Sequence, residues 1–244
     1  MRRGLGTNAF LCLLEYDLMI LAKSWIVRFW FSLTVLGGIV AVIVSRNFID
    51  DSSFLMGWAL VLYVALGSLV IMANSVSAIS QEFRFLGESI ISRGIAPTPY
   101  LLAKLVSRSF GNAVMFLVVV APTAFLMRAM SLNNDMTVEG ILVGIAYWVL
   151  LITVLSFLGI TVSVLVNNTM LGLVVLGVIW YMALGILDIA YAEDFSPEGV
   201  LGNLPLVLQG KSLSAEVTVL IIIGIIPVLV LPILAVRLMN SRDL

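Results

Sequence analysis

From Gly140 to Leu187 the chain runs for 48 residues without an Asp, Glu, Lys or Arg. As one helix that stretch would be roughly 72 Å long at ~1.5 Å per residue, more than twice the ~30 Å hydrocarbon core of a bilayer. Its only strongly polar cluster, Asn167-Asn168-Thr169, is a turn signal, so the run divides there into two crossings. Four further charge-free windows, 29–45, 52–81, 109–127 and 217–236, hold 17, 30, 19 and 20 residues, near or above the ~20 that a crossing helix needs. The expected fold class is therefore an all-α membrane protein. Its six transmembrane helices are placed at 29–45, 54–79, 105–127, 141–166, 170–187 and 217–236, in a single domain over 1–244. Composition agrees: 61% of residues are hydrophobic and 11% charged, against about 45–50% and ~25% in soluble domains. A lipid bilayer is the first partner implied.

Basic residues near helix ends stay cytoplasmic. With both termini inside, ten of the 13 Lys and Arg fall on the cytoplasmic side and only Arg46, Arg128 and Lys211 outside, which predicts a multi-pass protein of the cell (inner) membrane. The formal net charge is -1, leaving no basic stripe for nucleic acid. One cysteine, Cys12, and no histidine exclude an internal disulfide, a Cys/His zinc site and His-based catalysis. No catalytic, cofactor-binding or metal-ligating constellation is expected.

Arg2 and Arg3 precede an apolar run, Ala9 to Leu14, that is too short for a secretory signal and is broken by Glu15 and Asp17. Phe10, Leu11, Leu14, Leu18, Leu21 and Trp25 share a sector of about 100° on a helical wheel. Residues 8–25 are thus expected to form a helix lying in the cytoplasmic interface. Between the second and third crossings, Phe83, Leu86, Ile90 and Ile91 recur at helical spacing, and Glu82, Arg84, Glu88 and Arg93 fall mostly on other sides. This predicts a short amphipathic helix over 82–93, ended by Gly94 to Pro97. Thr98 then serves as N-cap with Pro99 at the first helical position.

The same stretch resembles the type-2 permeases of ATP-binding-cassette (ABC) exporters, whose second span is followed by a pattern like I-S-x-E…G-T-L-E…L-L-S-x-P-I-S-R…Y-L-L-G-K. The matching residues are Ile79-Ser80-Gln81-Glu82, Gly87-Glu88, Ile90-Ile91-Ser92-Arg93, Ile95-Ala96 and Tyr100-Leu101-Leu102-Ala103-Lys104. Gly94 stands where the family has Pro, and Ala103 where it has Gly. The resemblance implies that 82–93 is the coupling helix that docks on a cytoplasmic ABC ATPase subunit. Glu82, Arg84, Glu88 and Arg93 would contact that partner, and Phe83, Phe85 and Leu86 would pack against the spans. It also implies a homodimer of permeases with two ATPase copies, ATP and Mg being held by the partner. Spans one and five would meet across the dimer, which places Gly172, Gly177 and Gly185 near the dimer contact or pathway.

Gly210-Lys211-Ser212 mimics the end of a phosphate-binding loop, but Pro205 stands at the leading glycine position and no strand precedes it. The chain is accordingly expected to be no enzyme itself. A secondary transporter usually carries acids or His within its spans, and these windows have none. Pro122, Pro227 and Pro232 are expected to kink spans three and six. The outer segment 188–215 is too short and too broken by Pro197 and Pro205 to cross; the resemblance implies short re-entrant helices here that cap the pathway from outside, which an amphipathic pair near 189–194 and 199–209 would fit. Nearly uncharged spans favour export of an apolar or amphiphilic substrate. The alternatives are a mechanotransmission or extracytoplasmic assembly role, in which an outer-side accessory protein would be a further partner.

Overall fold

In hydrocarbon no solvent satisfies backbone N–H and C=O groups, so a spanning segment must pair its own. Helices answer that demand throughout. A computed structural model describes residues 3–47, 51–85, 97–166, 168–189, 197–211 and 215–241, with side chains at 10–47, 51–80, 98–166, 168–182, 203–211 and 224–239. Among the described residues there are eight helices and no strand: α1 (Arg3–Lys23), α2 (Trp25–Asn47), α3 (Ser52–Phe85), α4 (Pro97–Met130), α5 (Val138–Leu165), α6 (Thr169–Ile189), α7 (Pro197–Leu208) and α8 (Ala215–Ser241). Four stretches, Trp25–Asn47, Ser52–Ser80, Thr98–Met130 and Val138–Leu165, are long and apolar enough to cross a membrane. The apolar stretches described in α6 and α8, Thr169–Met182 and Gly224–Met239, are shorter. The chain is thus all-helical and multi-pass in character.

Local chemistry sets the helix ends. Thr137, extended at φ -97°, accepts the Gly140 amide at 3.0 Å and caps α5. The long apolar run breaks where expected: α5 ends at Leu165, and Asn168 Oδ1 accepts the Met170 amide at 2.9 Å to start α6. α7 closes with Lys211 N donating to Leu206 O (3.1 Å) and Gly210 N to Val207 O (2.9 Å), the Schellman pairing that requires a left-handed residue. Gly210 supplies it at φ 73°. The phosphate-loop look-alike is therefore a helix stop.

α5 is the axial helix, packed on by α3, α4, α6, α7 and α8. Met56, Leu60, Phe116, Ile145, Trp148, Ile152 and Leu155 form the larger core, where Tyr63 meets Phe116 edge-on at 5.1 Å. A second cluster joins Ile79, Tyr100, Leu101, Leu105, Phe157, Ile160, Val164 and Met239. α2 packs outside α3 and α4, and α1 lies along α4. Leu36, Val40 and Ile43 on α2 and Met170, Val174 and Val178 on α6 point outward, as suits surfaces solvated by lipid. Polar contacts mark the two ends of the bundle. Ser52, Asp135 and Gln209 meet at one, and Ser80, Ser163 and Thr169 at the other. The second cluster puts Tyr100 and Met239 at the Ser80 end, so α3, α5 and α8 run opposite to α4 and α6.

Candidate functional site

The resembling stretch is bracketed by two anchors at the Ser80 end. α3 has 34 residues, about 51 Å at ~1.5 Å each, so it outruns the ~40–45 Å bilayer with its headgroup layers. Its last described side chains are held by α5 and α6. Ser163 Oγ donates to Val76 O at 2.6 Å and accepts Ser80 N–H at 3.0 Å. Ser80 Oγ bonds Val76 O at 2.9 Å and meets Thr169 Oγ1 at 2.7 Å. Close glycine contacts permit this. A Cβ on Gly159 would stand 2.5 Å from Ser75 Cβ, and one on Gly172 2.7 Å from Val76 Cγ1.

The second anchor starts α4. Pro97 takes the first helical position, two residues earlier than Pro99 was expected to; a proline there sacrifices only an amide that has no helical acceptor anyway. Tyr100, Leu101 and Ala103 are buried, and Lys104 Nζ lies 2.5 Å from Asp17 Oδ1. Arg108 Nη2 reaches the same oxygen at 3.0 Å, while Ser107 Oγ donates to Asp17 Oδ2. The four residues are each at most 6% exposed. Burial pushes the Asp17 carboxyl up, but Arg108 and Lys104, with hydrogen bonds from Lys104 and Ser107, outweigh it and hold it below the ordinary 3.8. One turn further, a Cβ on Gly111 would collide with Leu21, so α1 and α4 touch nearly backbone to side chain.

This revises the face expected for α1. Leu21 is buried and Phe10, Leu14 and Leu18 are half-buried, but Leu11 and Trp25 are 54% and 75% exposed, and Asp17 sits inside the stripe instead. An acid there reads as an interruption of the apolar run until its two cations on α4 are in view. Lys104, Arg108 and Gly111 share a helix face at i, i+4, i+7 spacing, the signal that could have paired them with Asp17 and Leu21.

Of the expected partner contacts, Glu82 to Phe85 continue the backbone of α3 rather than opening a separate helix. Their side chains, and all of Leu86, Glu88 and Arg93, lie outside the described residues. Gly172 is spent inside the protein against Val76, a Cβ on Gly177 would meet nothing within 4 Å, and Gly185 belongs to α6 with no described surroundings. No family model matches the chain, and no curated protein matches it.

The opposite end is tied by one carboxylate. Asp135 accepts Ser52 Oγ and Ser53 N, each at 2.9 Å, Ser53 Oγ at 2.5 Å and Gln209 Nε2 at 2.7 Å. It thereby caps the N-terminus of α3 from a distant loop and holds the end of α7. Burial raises its pKa, but the Ser53 hydroxyl and amide, then Ser52 and Gln209, bring it below 3.8. Leu208 O also accepts the Thr137 amide at 3.0 Å. The expected outer helix pair appears as α7 alone, since 190–196 lie outside the described residues. Between α2, α3 and α4 an apolar groove of about 590 Å³ is lined by Trp30, Gly37, Trp58, Tyr63 and Thr123 among others. The Thr34 and Thr123 hydroxyls there bond carbonyls of their own helices.

Proposed function

We propose that the chain is the membrane permease subunit of an ABC exporter: six crossings, both termini cytoplasmic, working as a homodimer with two copies of a separate cytoplasmic ATPase. The observation that carries this reading is the anchoring of both ends of the charged segment. Ile79, Ser80, Tyr100, Leu101 and Lys104, which flank it and match the permease pattern, are each at most 4% exposed. A partner pressing on the residues between them would push on α3 and α4 together, and through them on α5, α6 and α1. Coupling to an ATPase requires a charged cytoplasmic segment whose two ends are fastened to the membrane helices. Glu82, Arg84, Glu88 and Arg93 are assigned to that contact, with Phe83, Phe85 and Leu86 packing beneath. ATP and Mg belong to the partner.

The groove between α2, α3 and α4 is lined mostly by apolar side chains, and the Thr34 and Thr123 hydroxyl protons are spent on carbonyls of their own helices, which favours an apolar or amphiphilic substrate. The test is co-purification of the tagged chain from its native host in mild detergent, then ATPase assay of the complex with Glu82, Glu88 and Arg93 reversed in charge. An associated ATPase whose binding or stimulated activity collapses on reversal supports the reading. The absence of any associated ATPase, with reversals that change nothing, refutes it. An ATPase that associates without moving any apolar probe across liposomes would shift the assignment to mechanical transmission.

A further inference from the structure

We propose that the groove between α2, α3 and α4 holds the acyl chain of one bilayer phospholipid from the leaflet at the Ser52 end. α4 makes its floor, where Val119, Val120 and Thr123 are buried, while Leu36 and Val40 on α2 and Leu62 and Leu66 on α3 form walls more than half exposed. The groove begins level with Val44 and Leu55, about one turn inside the apolar ends of the two helices. It stops at Trp30, which is 7% exposed, faces the Tyr63 ring at 5.5 Å and would lie 3.0 Å from a Cβ on Gly67. From Val44 to Trp30 is about 21 Å, and from Leu55 to Leu66 about 17 Å, at ~1.5 Å per residue. One leaflet of the hydrocarbon core is about 15 Å deep. The groove therefore has the reach of a single extended tail, with its methyl end beside Trp30.

No charged side chain lines the groove, and the Thr34 and Thr123 hydroxyls give their protons to Phe31 O and Val119 O at 2.9 and 2.7 Å. The site thus suits the tail of an amphiphile and not its head. Lipid tails are as apolar as leucine, so the hydrophobic effect supplies no preference for this surface over bulk lipid, and close packing must. A chain in the groove gains dispersion contacts on three sides, whereas one lying on a convex helix face gains them on one. Spread over its length, a volume of about 590 Å³ leaves a mean cross-section of roughly 30 Å², too narrow to seat a helix from a second copy, which is about 10 Å across with its side chains.

Two adjacent glycines separate packing from binding. A Cβ on Gly38 would stand 2.5 Å from Thr123 Oγ1, so that glycine lets α2 close on α4. A Cβ on Gly37, which lines the groove, would meet nothing within 4 Å. Glycine is a poor helix former, and no contact among the described residues accounts for it at 37; a chain lying over the bare backbone does. The inference is independent of the permease reading, because a lipid held in this way stays whether or not an ATPase binds.

The test uses the full chain, reconstituted with phosphatidylcholine and released in mild detergent for native mass spectrometry. One phospholipid should stay with each parent chain and with Gly37→Ala. It should be lost from Gly37→Leu, whose side chain enters the groove without a clash at Cβ. Should leucine prevent folding, the parent still decides. In vesicles of phosphatidylcholine brominated near the methyl end of its tails, Trp30 emission, read as the difference between the parent and Trp30→Phe, should be quenched more strongly than in vesicles brominated near the carboxyl end. A parent that retains no lipid, equal retention in Gly37→Leu, or Trp30 quenching that ignores the bromine position overturns the inference. So does a parent dimer that Gly37→Leu splits with lipid retention unchanged, because the groove would then receive a second copy.

Discussion

Replacing Asp17 by asparagine keeps the shape of a side chain that is 1% exposed but removes the only charge described between Lys104 and Arg108. Removing one partner of a buried ion pair costs about 3–5 kcal/mol, mostly the penalty of the charge left behind. At ~1.4 kcal/mol per power of ten, the equilibrium holding α1 on α4 should weaken by roughly two to three and a half powers of ten. The loss is capped by the docking free energy of α1 itself. Once α1 lifts away, both cations can extend their stems toward the headgroups and recover water. Cys12 is the sole cysteine, so a Cys12→Ser chain with Leu21→Cys reports docking directly, because residue 21 is 4% exposed when α1 is seated. Maleimide labelling of that thiol should be slow with Asp17 and faster by the stated factor with Asp17→Asn. The same chain has a pH signature. The folded carboxyl titrates below 3.8, so its contribution is complete above that value and disappears as pH falls through the folded-state pKa. Protection should stay level from neutrality to about pH 5 and fail below about 4, and Asp17→Asn should abolish the dependence. Labelling unchanged by Asp17→Asn would refute the cluster as the fastening of α1.

At the other end, Asp135→Asn should loosen α7, seen as faster hydrogen exchange over 203–211. In the parent the same loosening should begin only as pH drops below about 4, because that carboxyl is also held below 3.8 and stabilises while ionised. Gly210→Ala should destabilise the α7 stop by about 1–2 kcal/mol for the left-handed backbone alone. The added Cβ would also meet Thr137 Oγ1 at 2.7 Å, so Thr137→Ser should recover little of the loss in a thermal melt. Asn168→Ala removes the cap of α6 and should cost about 0.5–2 kcal/mol, with fraying confined to its first turn by hydrogen exchange.

How far the sequence could be read depended on the range of the interaction involved. Charge-free length is a property of the chain alone, and every window falls within a helix or a pair of helices, although the helix that holds 109–127 begins twelve residues earlier, at Pro97. The ends ran longer than the windows because lipid crossing sets a minimum, not a stop. α3 passes the charges at Glu82 and Arg84 because nothing there breaks a helix. Pro97 could open α4 as readily as Pro99, and local rules alone do not choose between them. The polar knots were not legible for another reason. Asp17, Asp135 and Ser163 each bond residues 74 or more positions away, 83 positions in the case of Ser80 and Ser163. Taken in its local sequence, a buried acid or a lipid-shunning serine looks like an ordinary surface residue.

Two groups of residues in the charged stretch should therefore fail differently when altered, and that difference is itself evidence about what the stretch does. Ser80, Tyr100 and Lys104 are buried and committed to α5, α6 and α1. Their replacement leaves unpaired polar groups or cavities in the protein and should lower stability whether or not a partner is present. Glu82, Glu88 and Arg93 lie between the anchors, and if they address an ATPase, reversing them should leave the isolated chain as stable as before while weakening the complex. A plain structural loop would show the first pattern at its ends and nothing in its middle. Thermal melts of the detergent-solubilised chain, set beside co-purification of the complex for the same variants, separate the two cases. Reversals that destabilise the chain by itself would show those charges to be internal struts and would remove the coupling assignment.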